Sequence, residues 1–505
     1  MSIRNLQFLF DPASVAIIGA SERPHSVGAT VLANMLADGY KGDIYAVNPK
    51  YRALSGRPVY RDVASLPKTP DLAIVCTPPH TVPGLIAALG ERGTHAAIVL
   101  TAGLGTLHDS HGVSLKQRML DAARPSLLRI LGPNCVGMLV PGIGLNASFA
   151  HTGALPGKLA FVSQSGALVT GVLDWAKSHD IGFSRFVSLG EGADIDFGDL
   201  LDYLASDAAT RAILLYIEDI RDARKFMSAA RAAARSKPVL VIKAGRAAEG
   251  ARAAASHTGA LAGADDVYDA AIRRAGMLRV YSTEDLFGAV ETLARSRPLV
   301  GERLCILTNG GGPGVMATDA LIASGGRLAS LSETTLRALD KVLPATWSHG
   351  NPVDIIGDAP AERYRQAAEI LLAAQEVDGL LFIHAPTAIV PSLEVAQAVA
   401  PLLAGAGRNV LGCWLGGDGL AAARQVFSSQ GIPTYDTPEE AVRGFMQIVQ
   451  YRRNQNLLMQ VPESTPEDFV PDREAAQALV NAALADGRSM LSEPESHRLL
   501  AAYGI

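Results

Sequence analysis

The chain has 505 residues, too many for one hydrophobic core, and domains of roughly 100–200 residues predict about three. Hydrophobic residues make up 48% and aromatics 6%, and the formal charge is −5 without a basic tract; this excludes a phosphate-neutralising nucleic-acid groove. No apolar run reaches the roughly 20 residues of a membrane span, and MSIRNLQFLFDP lacks a signal peptide's apolar core, so a cytoplasmic protein is expected.

In chain order, SVAIIGAS (14–21) reads as a strand ending in a small-residue turn, followed by an Ala/Leu-rich helix to about Asp38. Next come IYAVNPK (44–50), DLAIVCTPP (71–79), AAIVLTAG (96–103) and LRILGPNCVG (128–137). Short aliphatic strands separated by helices predict a doubly wound parallel sheet, whose ligands sit outside the strands' carboxyl ends. Those ends carry Gly19, Ala20 and Ser21; Lys50; Thr77 and Pro78; Ala102 and Gly103; and Asn134 and Cys135. The first turn is not G-x-G-x-x-G, which disfavours a nicotinamide dinucleotide. Lys50 at a strand end suits a phosphate.

Two later blocks repeat one plan. KLAFVSQSGALV (158–169) and RLCILTNGGGPGVM (303–316) each join a strand to a helix through a glycine turn. RAILLYIEDI is matched by DGLLFIHAP, KPVLVIKAG by RNVLGCWLGG, and MLRVYSTEDLFGAV by GIPTYDTPEEAVRGF. A helix-capping box explains the last pair locally, but the ordered recurrence predicts two homologous flavodoxin-like domains. The expected boundaries are 1–140, 150–295, 300–450 and 452–505, with 452–475 a polar linker before a further helical stretch.

The glycine turns Ser163-Gln164-Ser165-Gly166 and Gly310-Gly311-Gly312-Pro313-Gly314 open helices, and helix starts expose unpaired N–H groups that attract phosphate. Two such starts can converge on one phosphate. SHTGALAG (256–263) follows the small-residue stretch RAAEGARAAA. His257 there is a candidate phosphoryl carrier, since neutral imidazole is nucleophilic near pH 7. Glu218, at the end of RAILLYIEDI, is a candidate carboxylate to orient that ring. His151 has the same local sequence, HTGAL, but leads through a Pro-Gly turn into a strand and reads as incidental. No HExxH, CxxC or GxSxG pattern occurs, GGGPG lacks the Lys-Ser/Thr of a Walker A loop, and no metal site is expected. Cys76, Cys135, Cys305 and Cys413 read as reduced thiols.

The order IIGAS, VNPK, GPNCVG, FVSQSGAL, YIED, SHTGALAG, NGGGPGVM, NPVDI resembles the NDP-forming acyl-CoA synthetases, the ADP-forming acetyl-CoA synthetase family related to succinyl-CoA synthetase. The resemblance runs from about residue 10 to the end. It implies a Rossmann-like CoA-binding domain followed by two flavodoxin-like ligase domains. It implies that Gly19, Ala20, Ser21 and Lys50 meet the CoA phosphates, while Thr77, Pro78, Ala102, Gly103, Asn134 and Cys135 line the rest of the CoA site. Ser163–Gly166 and Gly310–Gly314 would begin two phosphate-binding helices. His257 would be phosphorylated in turnover, with Glu218 its partner. The resemblance further implies carboxylic acid or acyl-CoA as substrate, ATP or ADP with Mg2+ at an ATP-grasp domain, and oligomeric assembly. No ATP-grasp domain is readable here, and HRLLAAYGI resembles the run-in to one, supplied by more chain or by a partner subunit. The alternative is a CoA-binding regulatory module of a protein lysine acetyltransferase or another CoA-binding protein without turnover.

Overall fold

The computed structural model describes residues 3–247, 249–250, 252, 264–460 and 470–505. They fall into two compact units, Met1–Leu458 and Met459–Ile505. Among the described residues of the first unit, the strands form three sheets.

The first sheet contains β1 (Ser14–Ile18), β2 (Asp43–Val47), β3 (Ala53–Leu54), β4 (Arg57–Tyr60), β5 (Leu72–Val75), β6 (Ala96–Val99) and β7 (Arg129–Leu131), in the order β3-β4-β2-β1-β5-β6-β7. Strands β1, β5 and β6 are buried at every position. Parallel strands covered by helices on both faces read as unbroken apolar runs, which is why they were legible. The helix Val27–Ala37 lies so close to the turn after β1 that a Cβ on Gly28 would come within 2.0 Å of the Gly19 carbonyl oxygen. Only glycine fits there.

The second sheet contains β8 (Gly137–Val140), β9 (Leu145–Ser148), β10 (Leu155–Ser163), β11 (Gly182–Ser188), β12 (Ala212–Ile217), β13 (Val239–Lys243) and β14 (Leu278–Val280), in the order β14-β13-β12-β10-β11-β8-β9. Residues 137–140, expected in the first domain, pair antiparallel with β11 and so belong to the second sheet. An aliphatic run reads the same whichever sheet it joins. The third sheet contains β15 (Arg303–Thr308), β16 (Arg327–Leu328), β17 (Val353–Asp354), β18 (Gly379–His384), β19 (Asn409–Trp414) and β20 (Thr434–Tyr435). Its order is β16-β15-β18-β19-β20, with β17 also on β15. Counting core strands from the first in each, all three sheets have the flavodoxin-like order 2-1-3-4-5, whose switch point lies between the first and third strands.

The sheets are joined by shared cores. One apolar cluster runs from Val15 and Val31 of the first block to Leu215 and Phe226 of the second. Another runs from Phe161 and Val172 to Ile306 and Phe445 of the third. Arg129 of β7 also reaches Asp194 at 3.0 Å and Asp199 at 3.2 Å, and Lys225 contacts Asp199 at 2.6 Å. Asp199 is 1% exposed. This network fixes the first sheet against the second.

The expected linker from 452 is corrected at its start. The helix Pro438–Met459 continues through 452–459, because its polar residues have partners. Arg453 pairs with Glu302, Asn454 donates to the Met277 carbonyl at 2.6 Å, and Leu458 is buried. Residues 461–469 lie outside the described residues. In the second unit, helices Arg473–Ala485 and Glu493–Ala502 form a pair, with Asp472 N–H donating to Ala502 O at 2.9 Å and Arg488 bound to Glu495 at 2.8 Å. Among the described residues no helix is long and apolar enough to cross a membrane.

Candidate functional site

The carboxyl ends of the first and second sheets face one cavity of about 1500 Å3. Its first wall carries Thr77 and Pro78 after β5, Ala102 and Gly103 after β6, and Asn134 and Cys135 after β7. The opposite wall carries Gln164, Ser165 and Gly166 after β10, with Thr170 a turn further on, and Glu218 after β12. Gln164 and Glu218 flank the switch point of their sheet, where open α/β sheets take ligands.

The wall of the first block is held by short polar contacts. Thr101 Oγ1 donates to the Thr77 carbonyl at 2.7 Å, and Asn134 N–H donates to the Thr101 carbonyl at 3.1 Å. Asn134 has φ +56°, a left-handed conformation that asparagine tolerates better than most residues. The Cys135 side chain is buried, its thiol directed to the Val99 carbonyl at 3.5 Å. Burial pushes both it and the Cys76 thiol up to about 12. They are lining groups rather than thiolate nucleophiles.

Not every expected CoA residue reaches the cavity wall. Ala20 is fully buried and its carbonyl accepts from Asn48 Nδ2 at 2.8 Å. Gly19 N–H is taken by Val47 O at 2.9 Å, and Ser21 Oγ accepts from Arg23 N–H at 2.9 Å. Lys50 is exposed, its backbone N–H held by Asn48 Oδ1 at 2.9 Å. These residues shape the β1 and β2 turns, and the cavity wall on this side begins at Val27, the first residue of the helix that Gly28 allows to pack so closely.

The second wall is a cap built from side chains. Ser163 Oγ, fully buried, accepts from Ser165 N–H at 3.1 Å and donates to Ser165 O at 3.0 Å. Ser165 is the N-cap of the helix Gly166–Ser178, its Oγ accepting from Leu168 N–H at 3.4 Å. Gln164, a candidate phosphate ligand, lines the cavity, and its Oε1 accepts from the Glu218 and Asp219 N–H groups at 2.6 and 3.0 Å. Gln164 thus fixes the backbone that presents Glu218, which is 8% exposed. His257 lies outside the described residues. His151 is exposed, 3.7 Å from Asp174, and does not line the cavity.

The third block repeats this turn with other chemistry. Thr308 Oγ1 accepts from Gly310 N–H at 3.1 Å and donates to Gly310 O at 3.0 Å. Asn309 binds the backbone of Ala385 in both directions, each at 2.8 Å. Gly310 is the N-cap of the helix Gly311–Ala323 and offers no side-chain cap. None of Gly310, Gly311, Gly312 or Gly314 lines the cavity between the first two sheets. The start of that helix meets Asp354, whose Oδ2 is 3.2 Å from where a Cβ on Gly311 would stand.

Sequence reasoning missed an ion pair in the cavity wall. Lys116, from the helix Leu115–Ala123, meets Glu191, after β11, at 2.9 Å. Glu191 sits between two glycines at a strand end, a readable signal; Lys116 lies in an ordinary amphipathic helix and gives none. Phe149 and Arg221 also line the cavity. Among the described residues no three His, Cys, Asp or Glu side chains are placed to hold a metal ion.

Three mainly parallel α/β sheets place one cavity between the carboxyl ends of two of them, and each sheet falls in a recognised domain. Residues 13–141 match the family described as CoA binding domain, 156–293 the succinyl-CoA ligase like flavodoxin domain, and 304–441 the Ligase-CoA domain. Acetate–CoA ligase [ADP-forming] I of Archaeoglobus fulgidus is 39% identical over 99% of this chain and 71% of its own. Acetate–CoA ligase [ADP-forming] I subunit alpha of Pyrococcus furiosus is 38% identical over 89% of this chain and 98% of its own. The structure of dinucleotide forming acetyl-coenzyme A synthetase 1 of Ca. Korarchaeum cryptofilum, in complex with phosphate and ADP, has a TM-score of 0.81 at 35% identity, over 91% of this chain and 99% of that one. The chain belongs to the NDP-forming acyl-CoA synthetase family, the group of the ADP-forming acetate–CoA ligases.

Proposed function

We propose that this chain supplies the CoA and phosphohistidine sites of an ADP-forming acid–thiol ligase, interconverting acyl-CoA, ADP and phosphate with carboxylic acid, CoA and ATP. The observation that carries the reading is the shared cavity. It sets the CoA-binding wall, Thr77, Pro78, Ala102, Gly103, Asn134 and Cys135, opposite the helix start at Ser165–Gly166 and the Glu218 carboxylate. At about 1500 Å3 it exceeds the roughly 300–1,000 Å3 of ordinary small-molecule sites, leaving room for a thioester end and a phosphate together.

In the acyl-CoA-consuming direction, phosphate attacks the thioester carbonyl, the C–S bond breaks and CoA leaves as the thiol. The acyl phosphate then meets the His257 imidazole. The P–O bond to the acyl group breaks, a P–N bond forms and the carboxylate departs. Helix-start amides stabilise the transferring anion, and Glu218 holds the ring by accepting its other N–H. Gly19, Ala20, Ser21 and Lys50 serve the outer phosphates of CoA by shaping and flanking the β1 and β2 turns.

The phosphohistidine passes its phosphoryl group to ADP, held with Mg2+ at an ATP-grasp domain or subunit. The matched relative that is itself called a subunit alpha supports a partner, and the four described cysteines, all free thiols, support a cytoplasmic setting.

The test is labelling by 32P-acetyl phosphate. Acid-labile, base-stable label is expected on the wild-type chain and on His151→Ala, and is lost in His257→Ala. Loss of label in His151→Ala alone would overturn the assignment. CoA binding by a chain that never takes up label would favour the regulatory module.

A further inference from the structure

A lysine is buried at the end of the strand beside Glu218. Lys243, the last residue of β13, is 2% exposed. It pairs in register with Ile217, so the next residues across from it are Glu218 and Asp219. Its ammonium stands 4.4 Å from the centroid of the Tyr268 ring and donates to the Ala244 carbonyl. The Tyr268 hydroxyl lies 3.4 Å from Asp219 Oδ1. From the neighbouring elements, Arg279 of β14 holds Asp265 at 2.6 Å and Asp269 at 3.3 Å. The cluster is therefore two cations facing four carboxylates. Arg279 ion-pairs with both carboxylates on the helix Asp265–Arg274, and Lys243 feels Asp265 of that helix together with Asp219 and Glu218 after β12.

Burying an ammonium is unfavourable, and here burial pulls the lysine below its ordinary value while Asp265, Asp219 and Glu218 push the other way. A charge kept in such a place needs its counter-ions. No described ion pair of Lys243 is short enough to account for it as a simple salt bridge.

We propose that Lys243 is a positioning residue for phosphoryl transfer, its ammonium keeping Glu218 ionised when a dianionic phosphoryl group enters beside it. The proposal rests on the reading that Glu218 orients a phosphorylated histidine. An acceptor carboxylate next to a phosphoryl group faces like charge, which favours taking up a proton. A protonated Glu218 no longer accepts the ring N–H. Tyr216 on its own segment and Lys243 from β13 act electrostatically on Glu218, Asp219 follows it in the chain, and Lys116, Glu191 and Arg221 are the other charged groups lining the cavity.

The test is the pH dependence of label transfer from 32P-acetyl phosphate to the full chain, for wild type and for Lys243→Met, Lys243→Gln and Lys243→Arg. Methionine matches the buried stem and removes the charge. Glutamine provides a second neutral variant should methionine fail to accumulate. Both neutral variants are expected to move the ascending limb up by about one pH unit and so to slow transfer by up to about 10-fold at a pH on that limb. Lys243→Arg is expected to restore the wild-type profile. A folded neutral variant with a slower rate but an unmoved limb would show a merely structural lysine and overturn the proposal. An unlabelled wild type would instead overturn the reading of His257 and Glu218 on which it stands.

Discussion

The second and third sheets are two versions of one design, and the contrast between them shows where chemistry was placed. Both have the strand order 2-1-3-4-5 and the same hydroxyl-braced turn, Ser163 in one and Thr308 in the other. Both use the following amide side chain, Gln164 or Asn309, to hold the backbone after the third core strand. At that place one copy has Glu218 and the other Ala385. The residue just before is Ile217 in one and His384 in the other, each fully or almost fully buried. Thus the second sheet spends its switch point on a carboxylate facing a cavity. The third spends its polar residues on internal bonds, His384 lying between Tyr364 at 2.8 Å and Ser392 at 2.9 Å.

The largest difference should come from the position held by Glu218 and Ala385. Glu218→Gln is expected to slow phosphoryl transfer by about 1,000-fold, because the amide cannot carry the charge that favours the developing imidazolium. Ala385→Gln, at the matching place, should leave labelling unchanged. Single-turnover labelling measures both, and equal loss in the two variants would dissolve the distinction between the copies.

Acid should expose the other half of the contrast. Burial lowers His384 to about 4, against an unfolded value of about 6.5. Below pH 6.5 the unfolded chain takes up a proton that the folded chain refuses, so stability is lost as pH falls from about 6.5 towards 4. The full loss is about 3 kcal/mol. Urea unfolding at pH 7 and pH 4.5 should show a smaller drop in His384→Gln than in wild type. No such acid dependence attaches to Ile217.

How much of this was legible in the sequence follows from what each feature demands of it. Buried parallel strands such as AILLYI (β12) and GLLFIH (β18) must be aliphatic throughout, so the repeat could be read from their order. Turns such as Ser163–Gly166 and Gly310–Gly314 announce themselves through glycine and hydroxyls. The hairpin β8–β9 does not, because GMLV carries no mark of which sheet it joins. Lys116 and Lys243 were equally silent, since a lysine's burial depends on neighbours far along the chain. Gln164 was placed at the right turn, but its bonds to the backbone after β12 were not readable. A long amide beside a helix start suits phosphate, and only the fold shows that two backbone N–H groups hold its oxygen.

That amide gives a sharper pair of variants. Gln164→Ala and Asn309→Ala each leave buried backbone groups without their partner and should cost about 1–3 kcal/mol in urea or thermal unfolding. Only Gln164→Ala should also slow label transfer, since only there does the released backbone carry the acting carboxylate. Slowing in both variants would mean that the third sheet reaches the reacting groups by a route other than this cavity.

The smallest expected effect concerns the glycine run that most resembles a phosphate loop. A Cβ on Gly314 would press on Pro352 and Thr308 at 3.1 Å, whereas one on Gly312 would meet nothing within 4 Å. Packing therefore explains Gly314 but not Gly312, which sits in the first turn of the helix Gly311–Ala323. By conformational entropy alone Gly312→Ala should stabilise the chain by about 0.5–1 kcal/mol, and calorimetry can detect this as a small rise in Tm. If the second copy alone does the chemistry, label transfer stays unchanged. A more stable variant that transfers label more slowly would show that a ligand approaches the Gly312 backbone, giving the third sheet the functional helix start that its own Asp354 now faces.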